Sequence, residues 1–568
     1  MLELSTSSSD TTASSTTTST AVLFSYYKLQ PYTEHLSEAV NHWTLAEATW
    51  SRDAVILAKR WIVACQSSHQ HCSPAVQTDP WHPTRLLTFD LEPPEGDQSI
   101  IRLVDTGESG FAGPYTTLSY CWGPGLHFTL NKKTCSDLFR GMPLSLLPRL
   151  FQDVIAVSRD LGVGSIWIDS LCIFQDDDKL DWHNEASRME KVYANSSCNI
   201  SASHSRNASE SMFSARNPAR VSPIWLKKRD DPVILVLARD TWTEEVMEAI
   251  VNHRAWVVQE RLLSPRILHF GRSTVSWECG ATCASEKLMS PAASANRWIT
   301  PGADDDPAGR GLDKWMDIVV AYTACDLTFS SDKLVALSGI AARVGSTVLG
   351  GDQYVAGMWA RDLERQLVWL VAGQPTAPLV EYRAPSWSWA SVDGAVVWPR
   401  RGLNSEDRAI AWPRRNLYSE LSYRFNTPLI EIDGFHVDYC TSNLTGDVSD
   451  GWLRLRGVLK RLQVVIPDPR LPRPDRIRGS GVGWEKGECS LFGMAVSVGQ
   501  ELVGSDSKAL MYVLLFQILD PMAGIFRRIG LAKADDNWFW REMMEKSRKD
   551  EGFPCVQYKD GMHLICVV

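Results

Sequence analysis

In the segment RAWVVQERLL, Trp256 and Glu260 stand four residues apart. On a helix that spacing projects an indole and a carboxylate from one face. Such a pair suits cleavage of a glycosidic bond, in which an aromatic surface holds a flat ring and a carboxylate stabilises an oxocarbenium-like state. A leaving group that departs as a neutral ring from a cationic one needs no proton donor. Arg254 and Arg261 flank the same glutamate, so an ion pair, exposed or buried, is the competing explanation.

Other residues collect at the ends of apolar runs. Asp169 closes WIDS and either meets a ribose hydroxyl or caps the following turn, the plainer role. Tyr120, Trp122 and Gly123 end TTLSYCWG, where a glycine turn lets backbone amides approach a phosphate. Cys172 with His183 or His204 makes a poor nucleophile and base, because the thiol lies in a buried-looking strand without an activator. Glu185 and Glu190 read as a solvated helix face, and Asp176 to Asp178 as a helix amino-terminal cap. No P-loop, HExxH or GxSxG pattern occurs, leaving ATPase, zincin and serine hydrolase chemistry unsupported. Cys65, His69, His71 and Cys72 fall within eight residues, and Cys279 and Cys283 form a CxxxC. Thiolate and imidazole are zinc ligands. The spacing matches no strong finger pattern, however, and Cys65 continues the helical face of Trp61. The reading takes no metal and no cofactor, and leaves open whether Cys65, His69 and Cys72 bind zinc.

The elements that must position these groups follow from periodicity. From Thr116 to Ser203, short apolar runs alternate with helix-period segments, the pattern of βαβ units in a parallel sheet. TTLSYCW, SIWIDSLCI and CNISAS read as strands. Leu147, Leu150, Phe151, Val154, Ile155 and Leu161 mark one helix, and Trp182, Ala186, Met189 and Tyr193 another. Upstream, DAVILAKRWIVAC is a helix apolar over most of its surface, and RLLTFDL and SIIRLVD form an antiparallel edge. Downstream, PVILVLA, RILHF, TVSWEC and SWSWASV read as strands, and LDKWMDIVVAY, DKLVALSGIAARV and MWARDLERQLVWLV as helices. The expected organisation is a disordered leader over 1–25, a helical and β lead-in over 26–110, an α/β domain over 111–285, a helical extension over 286–400 and a β-rich module over 401–568.

Composition sets the outer bounds. The 568 residues carry a formal net charge of -9 with 44% hydrophobic residues, which suits a multidomain globular chain and shows no electrostatic footprint for nucleic acid. No apolar run reaches the roughly 18 residues that suggest a membrane span. The amino terminus lacks the basic and apolar regions of a secretion signal. With 13 scattered cysteines, the chain reads as cytoplasmic, with reduced thiols. The 23 tryptophans are mostly core candidates.

Six blocks in order, YTTLSYCWG, WIDSLCIFQDD, EASRMEKVYANS, RAWVVQERLLSPRILHF, SDKLVALSGIA and APSWSWASVDG, resemble the fungal heterokaryon incompatibility (HET) domain family. With RWIVACQSSHQHC upstream they cover residues from about 54 to 400. The resemblance implies a protein that triggers cell death or growth arrest when genetically different fungal cells fuse, acting with an incompatibility partner protein and by self-association. HET domains are in turn distantly similar to TIR domains, which are flavodoxin-like α/β folds, some of which cleave NAD. That second resemblance implies a parallel sheet flanked by helices and NAD as a substrate. By the matching Trp-to-Glu spacing it makes Glu260 the catalytic candidate, with Tyr120, Trp122, Gly123, Asp169, Arg254 and Trp256 as binding candidates. The alternative is a non-catalytic signalling module working through protein partners.

Overall fold

The structure is a computed structural model that describes residues 45–69, 72, 81–92, 99–125, 127–176, 180–221, 224–226, 234–236, 242–293, 310–372, 381–399, 423–462, 491–503, 506–534, 537–545 and 552–568. The leader, His71, Asp177, Asp178 and the loop with Gly302 lie outside the described residues.

A ten-stranded sheet organises the first half of the chain. Its strands are β1 (Arg85–Phe89), β2 (Ile100–Asp105), β3 (Thr116–Ser119), β4 (Met142–Pro143), β5 (Ser165–Trp167), β6 (Cys198–Ser201), β7 (Arg266–Phe270), β8 (Val275–Cys279), β9 (Thr282–Ser285) and β10 (Leu288–Ala293). Their spatial order is β10-β9-β8-β7-β6-β3-β5-β1-β2-β4. Only the centre is parallel, through the pairs β3·β5, β3·β6 and β6·β7. Both wings are antiparallel, which corrects the expected parallel sheet to a mixed one. In the wing of β7, β8 and β9 the reason is connection length: neighbours separated by a few residues can pair only by turning back, whereas the parallel pairs have helices between them.

Helix α1 (Arg52–Ser68) starts at Ser51, whose hydroxyl accepts from Ala54 N at 3.3 Å. It buries Ala54, Ala58 and Cys65 but exposes Ile56 and Val63, so it is a surface helix, not the buried one its apolar composition suggested. Helix α2 (Arg149–Asp160) links β3 to β5 and buries Leu150, Phe151, Val154, Ile155 and Val157, the stripe expected from sequence. Between β5 and β6 the expected single helix is two, α3 (Leu180–Ala186) and α4 (Met189–Ala194). Helix α5 (Ala255–Leu263) precedes β7 and packs against α4, α6 (Arg310–Thr323) and α7 (Val335–Thr347).

Three expectations fail for local reasons. Strand β5 stops at Trp167, and Asp169–Cys172 is a helical turn in which Cys172 N donates to Ile168 O. The MWARDLERQ stretch is broken because Asp362 takes φ +50 and the Gln366 side chain bonds both backbone groups of Trp359. SWSWASV is a 3-10 turn at Trp389–Ser391, capped by Ser388, with both indoles buried and Trp389 edge-on to Tyr322 of α6.

The carboxyl-terminal part is β-rich as expected, a nine-stranded sheet built from strands between Tyr423 and Val567. Its core is continuous with that of the first sheet. Arg528 crosses the junction, stacking 3.6 Å over Trp369 and donating to Trp369 O at 2.7 Å.

A candidate site at the carboxyl edge of the parallel strands

The chain leaves β3 on one side to build β5 and on the other to build β6. In open α/β sheets ligands bind in the crevice position at such a reversal, here beyond the carboxyl ends of β3 and β6. Most of the sequence-picked residues meet there.

The floor is polar and buried. Thr117 and Ser119 of β3 face Asn199 of β6, with Asn199 Nδ2 donating to Ser119 Oγ at 2.9 Å and Thr117 Oγ1 donating to Asn199 Oδ1 at 3.2 Å. Ser119 Oγ in turn donates to Glu260 Oε2. Glu260 is 3% exposed. Burial pushes its carboxyl up to about 7, against the opposing pull of Arg254 and Ser119 and with some help from Asp169. The ion pair that Arg261 offered is made with another carboxylate: Arg261 Nε lies 2.8 Å from Glu278 Oε2 of β8.

The rim is half-buried. Trp122 Nε1 donates to Asp169 Oδ2 at 2.8 Å, and Asp169 Oδ1 accepts from Ser170 N at 2.7 Å. The turn's N-cap is Ile168, with no side-chain cap bond, so Asp169 does not take the expected capping role; as the first residue of the turn it bonds the adjacent N–H and holds the indole with the same carboxylate. Burial raises its pKa. Tyr120 stacks on Trp122 and donates to Ser170 Oγ at 2.9 Å. Arg254, immediately before α5, donates to Tyr120 O. Burial works against its charge, but the charges of Glu260 and Asp169 outweigh it and raise its pKa.

Two candidates stand differently. Trp256 packs edge-on against Trp182 of α3 at 6.0 Å. Gly123 has φ +76, and a Cβ there would lie 2.5 Å from Asn207 Cβ and 2.9 Å from Arg206 O. Its smallness is accounted for by close chain packing. Gly123→Ala is therefore expected to cost about 2 kcal/mol or more through left-handed strain and overlap; urea unfolding measures it, and a loss under about 0.5 kcal/mol would refute the packing role.

Residues 115–260 match the family model described as Heterokaryon incompatibility protein (HET). The chain carries a HET domain. No curated protein and no solved structure matches the chain. The HET match opens at Tyr115 and closes at Glu260, so every residue of the crevice lies inside it.

Sequence reasoning missed Ser119, Asn199 and Tyr193 as members of the candidate floor, Tyr193 through its side-chain hydrogen bond to Glu260. The available signal was polar alternation on adjacent strands, Thr117 and Ser119 beside Asn199 and Ser201, all buried. The remaining readings resolve simply. Cys172 is buried, its thiol pushed up to about 12 by desolvation, unsuited to nucleophilic attack. His204 is engaged with Phe270 O at 3.1 Å and Ser214 Oγ at 3.0 Å. Glu185 is not on a solvated face: it is 3% exposed and accepts from Thr84 Oγ1 at 2.7 Å.

Proposed function

We propose that this HET domain acts in the incompatibility response by hydrolysing NAD or a related nucleotide, with growth arrest or death following from loss of that nucleotide in the cytoplasm. The observation that supports it is the Glu260 carboxylate, buried at the β3/β6 reversal beside Arg254 and Asp169. The parallel strands run β5-β3-β6-β7, the second-first-third-fourth order of flavodoxin-like sheets, in keeping with a TIR-like origin.

In this reading Trp122 and Tyr120 hold a flat ring at the rim, and Asp169 meets a ribose hydroxyl. Arg254 meets the phosphates. The ionised Glu260 stabilises the ribosyl cation as the bond to nicotinamide breaks and the ring leaves with the bonding pair. Water then adds to the ribosyl carbon, giving the ribosyl nucleotide, nicotinamide and one proton. Substrate entry must open the cover over Glu260, a motion that self-association or the incompatibility partner would supply.

Full burial of Glu260 and its bond to Ser119 also suit a second reading, a rigid polar network in a non-catalytic signalling module. Nicotinamide release from NAD by purified full-length protein separates them. Glu260→Ala is expected to lower release more than about 100-fold. Release unchanged by the substitution, or absent at high protein concentration while toxicity in cells survives Glu260→Ala, favours signalling.

A further inference from the structure

Outside the HET match, three thiols and an imidazole from distant parts of the chain converge. Cys65 lies in the last turn of α1, and His69 is the residue that caps its carboxyl end, donating from its backbone N to Cys65 O at 3.0 Å. Cys72 N donates to His69 O at 3.1 Å, which places Cys72 beside them. Cys279 arrives from the end of β8, more than 200 positions later. The four ligand atoms all lie within 4.8 Å of one another, and Cys279 Sγ is 3.5 Å from His69 Nδ1. A tetrahedral zinc ion with Zn–S of about 2.3 Å and Zn–N of about 2.0–2.1 Å sets sulfur and nitrogen about 3.5 Å apart.

We propose that Cys65, His69, Cys72 and Cys279 bind one zinc ion that fastens α1 to the edge of the β8–β9 hairpin.

The surroundings fit thiolates. Cys65, Cys72 and Cys279 are buried and free, and three sulfurs in one place cannot all pair as disulfides. Thr282 N donates to Cys279 Sγ at 3.4 Å, the outer-shell bond that steadies a metal-bound sulfur. Gly280 leaves room beside Cys72, since a Cβ there would lie 3.2 Å from its Sγ. A divalent ion accepts all three thiolates with loss of three protons. Four ligands around one point suit a single ion; a two-iron cluster would divide them between two metals. Four protein ligands also close the coordination sphere, the mark of a structural site rather than a catalytic one. Such a site has work to do here, because α1 buries few apolar side chains. Local spacing hid it, since the fourth ligand is remote and Cys283, the apparent partner of Cys279, lies on β9 outside the cluster.

Metal analysis of the full-length protein purified without chelator is expected to find about one zinc per chain, falling below about a tenth in Cys72→Ser and Cys279→Ser and unchanged in Cys283→Ser. Because the serine variants can fail to fold, the wild-type protein is also titrated with a mercurial, which should release the zinc in step with three thiols. Cobalt added to the metal-free protein should give tetrahedral thiolate-to-cobalt absorption. Zinc below about a tenth per chain together with no cobalt–thiolate band would overturn the proposal, as would zinc retained in folded Cys279→Ser. Iron in place of zinc would overturn the choice of ion. None of these outcomes depends on whether the HET domain cleaves NAD.

Discussion

Glu278→Ala is expected to destabilise the protein by about 3–5 kcal/mol, because it leaves the Arg261 guanidinium buried without its carboxylate. Arg261 and Glu278 have side-chain exposures of 4% and 0%, and Arg261 Nε lies 2.8 Å from Glu278 Oε2. Desolvation raises the Glu278 pKa, but Arg261 and His269 outweigh it and hold the carboxyl at about 2. His269 Nε2 sits 3.0 Å from the same oxygen, and burial lowers its own pKa. The pair bolts α5 to β8, and that attachment fixes which way Glu260, the preceding residue, can face. Chemical denaturation of Glu278→Ala, Arg261→Met and the double variant measures the coupling. The double variant should recover part of the loss, since it removes both desolvated charges. A loss under about 1 kcal/mol in the single variant would show that water reaches Arg261 and that the pair does not fix α5.

The contrast between Glu260 and Glu278 explains what could and could not be read from sequence. The helix around Glu260 was legible, because Ala255, Val257, Val258, Leu262 and Leu263 give a near-continuous apolar helix with defined ends. So were the strands on either side of the crevice, through β-branched and apolar runs. Which of two arginines would pair with which of two glutamates was not legible. Arg261 finds its partner 17 residues away on β8, and Arg254 is drawn to the Tyr120 carbonyl. Both choices are tertiary. The same holds for Asp169, whose two oxygens meet the adjacent Ser170 N–H and the remote Trp122 indole at once. Sheet direction failed for a related reason: strand pattern reports burial, and β7 and β8 are buried on both faces, as parallel strands usually are. The HET match covers residues 115–260 and carried no information on Cys279, which lies beyond the matched span.

Glu260→Gln should stabilise the protein at pH 8 while abolishing any nucleotide hydrolysis. In the folded chain the carboxyl titrates at about 7, raised from 4.5 chiefly by burial. Below pH 4.5 it is protonated in both states and costs nothing. Between 4.5 and 7 the unfolded chain ionises first, so stability falls as pH rises. Above 7 the full cost of ionising a buried acid is present, about 3 kcal/mol at about 1.36 kcal/mol per pH unit. Glutamine keeps the shape and still accepts from Ser119, but carries no charge. Thermal or urea unfolding from pH 4.5 to 8 should therefore show the variant gaining on the wild type with increasing pH, by up to about 3 kcal/mol. Catalysis runs the opposite way. Only the ionised carboxylate stabilises a ribosyl cation, so wild-type nicotinamide release should climb from pH 6 to 8 and level off, and the glutamine variant should lose it throughout. A site that gains stability when its function is removed is one whose strain serves that function. If Glu260→Gln instead weakens the fold at pH 8, the ionised carboxylate is a structural partner of Arg254, and the signalling reading of the HET domain takes precedence.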